Sequence, residues 1–143
     1  MNIAIIFAGG SGVRMGAGMP KQFLEINGKP IIIHTLDNFQ NSPSIDKIYI
    51  SCKKDYITTL QDLTKRFAIT KVCGIVEGGS NGQDSIYRAL RAADAENDKD
   101  AIVLIHDGVR PFVSEEVIQK NIECVKQHGS AVTCTSFFET PIL

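Results

Sequence analysis

Short apolar runs separated by helix-like segments recur along the whole chain, and this alternation is what most restricts its fold. Ile3 to Phe7 reads as a first strand. "DKIYIS" (46–51), "KVCGIVE" (71–77) and "AIVLIH" (101–106) read as three more, and "SAVTCTSF" (130–137) as a fifth. Pro30 opens a helix over "PIIIHTLDNFQ", because proline suits a first helical turn. "DYITTLQDLTKRFA" places Ile57, Leu60, Leu63 and Phe67 on one face, with Asp55 as N-cap. "QDSIYRALRAADAE" turns Ile86, Leu90 and Ala93 inward. Ser114 caps "EEVIQKNIECVKQH", whose first turn carries two acids as the helix dipole prefers, and Gly129 closes it. Strands this apolar are covered on both faces, so the pattern predicts an α/β domain with a mainly parallel sheet between helices.

A chain of 143 residues suits one domain, here 1–143, with one core. A net charge near −1, with neither half strongly basic, argues against a nucleic-acid partner. No apolar run reaches bilayer length, so no membrane partner is expected. "MNIAIIFAGG" reads as a first strand and not a leader, so a cytoplasmic protein is expected. Cys52, Cys73, Cys124 and Cys134 show neither C-x-x-C nor zinc spacing and each sits in or beside an apolar run. They read as reduced, buried thiols. "FFETPIL" ends the chain just after a strand with no closing helix, which reads as a truncated domain.

Parallel sheets bind ligands beyond the carboxyl ends of their strands. The first strand ends at "AGGSG", the third at "EGGS" and the fourth at "HDGVRP", so three glycine-rich or polar clusters fall on one rim. The first loop, "AGGSGVRMGAGMPKQ" (8–22), holds five glycines, Arg14 and Lys21, and no acid. A dinucleotide fingerprint needs a third glycine where Met15 stands, and a Walker loop needs Gly-Lys-Ser/Thr, whereas Gly28-Lys29 precedes Pro30. What remains is a nest of glycine N–H groups with two cations, suited to a strongly anionic nucleotide tail. Each cation taken alone could equally be solvated surface charge.

Asp107 closes the fourth strand. It could hold Mg²⁺ against phosphates, or be a turn acid bonding local N–H groups; the cationic loop on the same rim favours the metal. His106 reads as structural, and Arg110 could hold a second anion. No nucleophile–base pair can be argued from spacing.

The segments "AGGSGVRMG…MPKQF", "EGGSNGQDSI" and "HDGVRP" resemble the cytidylyltransferases that activate polyol phosphates, over nearly the whole chain. That family includes the 2-C-methyl-D-erythritol 4-phosphate enzyme of isoprenoid synthesis and the ribitol-5-phosphate enzyme of teichoic-acid synthesis. The resemblance implies a Rossmann-like, three-layer nucleotidyltransferase domain. It implies transfer of a cytidylyl group from CTP to a polyol phosphate, with Mg²⁺ and release of pyrophosphate. Arg14 and Lys21 match the pair acting at the α-phosphate. Ala8, Gly9, Gly10, Ser11 and Gly12 match the backbone cradling CTP. Gly79, Ser80 and Ser85 match positions lining cytosine and ribose. Asp107 matches the Mg²⁺ ligand, Gly108 lies against the ribose, and Arg110 and Thr140 match positions near the polyol phosphate. The family continues beyond this chain with a second metal-binding acid, further acceptor contacts and a dimerisation arm, so a homodimer is expected of the longer form.

There are departures. Gly82 stands where the family commonly has arginine, Ser80 replaces an acid found in some members, and "ETPI" replaces D-T-x-K. The chain as given is therefore expected to bind nucleotide yet turn over poorly. The competing readings are a non-catalytic nucleotide-binding module of the same fold and a nucleotide-sugar transferase. The second lacks its usual Asp-x-Asp. A Rossmann dehydrogenase is disfavoured by the absent glycine and the absent acid after the second strand.

Overall fold

The computed structural model describes residues 1–9, 19–96 and 99–135. Four parallel strands form its sheet: β1 (Asn2–Ala8), β4 (Lys47–Cys52), β5 (Val72–Glu77) and β6 (Ile102–Asp107). Their order is β5-β4-β1-β6. A short antiparallel hairpin, β2 (Glu25–Ile26) and β3 (Lys29–Pro30), intervenes between the first two. It turns through Asn27 and Gly28, both with positive φ (53° and 74°), the pairing that a tight hairpin turn favours.

Strand alternation divides the core in two. Ala4, Ile6 and Ala8 of β1 and Ile48, Ile50 and Cys52 of β4 face one side. There they meet Ile32, Ile33, Leu36 and Phe39 of α1 (Ile31–Asn41), Leu60 of α2 (Ile57–Arg66), and Ile118 and Ile122 of α4 (Glu115–His128). Ile3, Ile5 and Tyr49 face the other side, against Ala89 and Ala93 of α3 (Gly82–Glu96). Small residues on α3 let the helix lie close over the sheet, and the Tyr49 hydroxyl donates to Glu96 at 2.8 Å. Helices thus cover both faces, as the apolar strands require.

The path of the chain explains which helix lies where. From β1 it moves through β4 to β5 by way of α1 and α2. It then returns past β1 to β6 by way of α3. Reversing direction while keeping right-handed crossovers puts α3 on the opposite face. The reversal falls between β1 and β6, which pair from Asn2↔Ile102 to Phe7↔Asp107.

The first four strands expected from sequence form within a residue of their limits. The fifth does not form over its described residues: 130–135 carry no ladder. They are held by α4 side chains, with Asn121 Nδ2 donating to Thr133 Oγ1 at 2.7 Å. Ala131, Val132 and Thr133 share a cavity of about 420 Å³ with Val103–His106, so this segment stands off from β6.

The helix ends are mixed. Ser114 Oγ accepts from Val117 N at 3.3 Å, and Gly129 closes α4 at φ 84°, as expected. Asp55 is not a cap: it sits in a 3-10 turn, Lys54–Tyr56, that leads directly into α2. Pro30 lies one residue ahead of α1, ending β3. The inner face of α3 is Ser85, Ala89 and Ala93, with Leu90 packed against the same cluster as expected and Ile86 only half-buried. A smaller side chain fits a helix this close to the sheet.

The cysteines divide as well. Cys52 is buried, but Cys73 and Cys134 are exposed and Cys124 is intermediate. Burial pushes the Cys52 thiol up to about 11. A raised pKa means a smaller thiolate fraction at neutral pH, so native alkylation at pH 7.5 should label Cys73 and Cys134 and spare Cys52 until the protein unfolds. Mapping the alkylated residues by mass spectrometry checks this. A second test concerns Gly108, where a Cβ would meet Ile32 Cδ1 at 2.6 Å and Ala8 Cβ at 3.2 Å. Ile32 is fully buried, so its Cδ1 can give way only by pressing into packed neighbours. Gly108→Ala should therefore lower stability by about 1–3 kcal/mol, read as an earlier midpoint in urea.

Candidate active site

One cavity, of about 520 Å³, lies over the carboxyl ends of the strands at the point where chain direction reverses. All four parallel strands reach it. β1 contributes Phe7 and Ala8, followed by Gly9; β6 contributes its last residue, Asp107. Lys53 follows β4, and the loop 78–82 follows β5 and leads into α3. Lys21 and Gln22 complete the lining from a 3-10 turn, Lys21–Phe23, ahead of the hairpin.

This turn is fixed from several directions. Pro20 precedes it with φ −59°, and its carbonyl accepts from Phe23 N at 3.0 Å. Phe23 is buried and stacks on Tyr56 with ring centroids 4.8 Å apart. Gln22, 1% exposed, donates from Nε2 to the Ala8 carbonyl at 2.7 Å. Lys21 itself is exposed beside the cavity.

The loop after β5 is organised by Ser85. Its hydroxyl accepts from Gly79 N at 3.0 Å and donates to the Asn81 carbonyl at 2.8 Å. A Cβ at Gly9 would lie 3.1 Å, and at Gly78 3.0 Å, from the same oxygen. Glycine is needed at 79 for another reason, since a Cβ there would overlap the Asp84 carboxylate, which accepts from Ser80 N at 3.1 Å. Ser85 thus shapes the wall, its hydroxyl already committed to backbone groups.

Asp107 is the one carboxylate among the described residues that line the cavity. Its Oδ1 accepts from Val109 N at 3.1 Å, and Oδ2 lies 3.7 Å from Arg110 Nε. Asp107 thus braces its turn, as one of the two sequence readings expected, and lines the cavity together with Lys21. The loop is held from behind, with Thr35 Oγ1 donating to Gly108 O at 2.9 Å and Asn38 Nδ2 to Pro111 O at 2.7 Å.

Of the residues singled out from sequence, Ala8, Gly9, Lys21, Gly79, Ser80, Ser85 and Asp107 meet at this cavity. Gly108 and Arg110 are not in its lining. Gly108 packs on Ile32 and Ala8, and the Arg110 side chain is 77% exposed. His106 serves the structure, with Nε2 2.9 Å from the Arg110 carbonyl and its ring 5.2 Å from that of Phe39. Gly10, Ser11, Gly12, Arg14 and Thr140 lie outside the described residues. Sequence reasoning missed Gln22, Lys53 and Asn81 as lining residues. Lys53 directly follows a strand, so the rule that ligands bind past strand ends would have found it.

Chemically, the cavity offers two lysines, glycine-rich backbone and one carboxylate, with no histidine or cysteine in its described lining. That set suits the holding and neutralising of phosphates better than proton transfer.

Comparison with known proteins agrees. A ribitol-5-phosphate cytidylyltransferase of Streptococcus agalactiae serotype Ia is 53% identical over 100% of this chain and 60% of its own length. A 2-C-methyl-D-erythritol 4-phosphate cytidylyltransferase of Clostridium botulinum strain Langeland is 42% identical over 91% of this chain and 56% of its own. The chain thus spans about 60% of the length of the first of these relatives. The crystal structure of the 4-diphosphocytidyl-2C-methyl-D-erythritol synthase from Anaerococcus prevotii superposes with a TM-score of 0.71 at 30% identity, covering 89% of this chain and 51% of that one. The family model described as "IspD: 2-C-methyl-D-erythritol 4-phosphate cytidylyltransferase" matches residues 2–139, and the chain belongs to that family.

Proposed function

We propose that this chain forms the nucleotide-handling part of a CTP-dependent cytidylyltransferase whose acceptor is ribitol 5-phosphate. The observation that carries the reading is the meeting of Lys21, the loop 78–82 and Asp107 in one cavity at the strand switch point. The acceptor is favoured by the 53% identity to a relative named for ribitol 5-phosphate, against 42% to one named for 2-C-methyl-D-erythritol 4-phosphate.

In this reading an oxygen of the acceptor phosphate attacks the α-phosphorus of CTP, and the bond to the pyrophosphate oxygen breaks. The attacking oxygen is already ionised at neutral pH, so the site needs no base. Lys21 balances charge gathering at the α-phosphate, together with Arg14. Lys53, which also lines the cavity, meets the nucleotide tail as a second cation, while the backbone of Ala8, Gly9 and residues 78–80 packs against base and ribose. Arg110, exposed beside Asp107, takes the acceptor phosphate.

Among the described residues no group of three His, Cys, Asp or Glu side chains forms a metal cage. Mg²⁺ does not require one, since it is commonly held by one or two carboxylates plus substrate phosphates. Asp107 fits as such a ligand, and the ion would supply neutralisation of phosphate charge. The family resemblance also supports a homodimeric, cytoplasmic enzyme.

The deciding experiment is pyrophosphate release from CTP by the complete polypeptide, with each polyol phosphate supplied in turn. Release with ribitol 5-phosphate and not with 2-C-methyl-D-erythritol 4-phosphate is expected. Tight CTP binding with no release on either acceptor would instead establish a non-catalytic nucleotide-binding module, the reading that uncharged Gly82 favours. For the active enzyme, Lys21→Ala should cut kcat by about a hundredfold while CTP affinity changes only a few-fold, because its charge matters most in the transition state. Steady-state kinetics beside calorimetric CTP binding separates the two; equal losses would make Lys21 a plain binding residue.

A further inference from the structure

We infer that Gln22 is a positioning residue of this site, acting by removing a carbonyl's negative end from the path of a bound anion. The inference deepens the nucleotide reading above and rests on it for the identity of the anion.

Where parallel strands stop, their last carbonyls run out of ladder partners on the neighbouring strand. Each is a partial negative charge, and each is costly if left without a donor. Around this cavity the strand-end carbonyls are occupied from within the protein. Phe7 O accepts from Gly108 N at 3.0 Å, Cys52 O from Gly78 N at 2.7 Å, and Asp107 O from Arg110 N at 3.1 Å. Those three donors are backbone groups, available whatever side chains the sequence carries. Ala8 O is different: its donor is the Gln22 amide, at 2.7 Å. Among the described residues, this cap comes from a side chain.

Gln22 is also the next residue after Lys21, within the same turn, and both line the cavity. Holding Gln22 to the end of β1 therefore fixes the point from which Lys21 reaches the cavity. A methionine at 22 keeps length and flexibility but has no donor. A glutamate keeps the shape but places acceptor against acceptor and adds a negative charge.

The test uses inorganic pyrophosphate as probe, by calorimetry, with thermal melts run in parallel. Gln22→Met should weaken pyrophosphate binding by about tenfold, because the uncapped Ala8 carbonyl then repels the anion and the Lys21 turn loosens, and Gln22→Glu by more. In cytidylyl transfer, kcat should fall by a similar factor with the KM for the acceptor phosphate unchanged. A merely structural glutamine would lower the melting temperature of both variants and leave the affinity of their folded fractions at the wild-type value; that result overturns the inference. If neither variant folds, titration of the wild type decides: pyrophosphate should shift the Gln22 side-chain amide resonances in NMR, and unmoved resonances at saturation overturn it. Wild-type protein that binds pyrophosphate but transfers no cytidylyl group would sink the functional reading and leave this one standing. Wild-type protein that binds none would sink this one, whatever the transfer assay gives.

Discussion

The parallel pairing of β1 with β4 on one side and β6 on the other is the constraint on which the rest depends. It brings the end of β1 beside the ends of both neighbours, and it forces α3 onto the opposite face from α1 and α2. The start of α3, the glycine loop before it and the turn carrying Lys21 then converge over one edge. The apolar content of Ile3–Ile6 and Ile48–Ile50, all essentially buried, is what holds this arrangement. Each such side chain contributes about 2 kcal/mol relative to exposure. The site is thus built on the most deeply buried strands of the molecule, while its charged groups stand in turns just past their ends.

That placement has an electrostatic logic. Carbonyls left without ladder partners where parallel strands stop would repel a phosphate at that edge. Here the carbonyls of Phe7, Ala8, Cys52 and Asp107 are occupied by internal donors, and Lys21 and Lys53 are added from turns. An anion entering the cavity meets neutralised backbone and cationic side chains together. Asp107 runs against this trend. It is engaged by Val109 N and lies 3.7 Å from Arg110, so local donors offset part of its charge.

Much of this was legible in the sequence because the physics was local or periodic. Four strands announced themselves as continuous apolar runs, and the Ser114 and Gly129 ends of α4 followed from capping chemistry. The shared rim followed from the rule for parallel sheets. What failed depended on tertiary context. Val132 and Cys134 look like strand residues, yet pairing needs a neighbour at the right distance, and a cavity lies there instead. Asp55 has the right chemistry for a cap, but the 3-10 turn moves the helix start beyond it. On α3 the inward placements of Leu90 and Ala93 hold, while closeness to the sheet adds the small Ser85 and Ala89, which hydrophobicity did not mark. The hairpin at Asn27-Gly28 was visible as a turn signal and simply passed over. Gln22 could not be found from composition at all, because its role exists only once β1 and the Lys21 turn meet.

The Ser85 hydroxyl is the shared neighbour of Gly9, Gly78 and Gly79, three positions from two separate loops. Such an oxygen acts as a ruler for the spacing between those loops. Replacing it with a bulkier side chain would push on both together, and adding a Cβ at either partner would press on it in return. These residues can therefore drift in evolution only as a set. Among homologues, that corner should change by coordinated replacement or not at all, even where the surrounding helix surface varies freely.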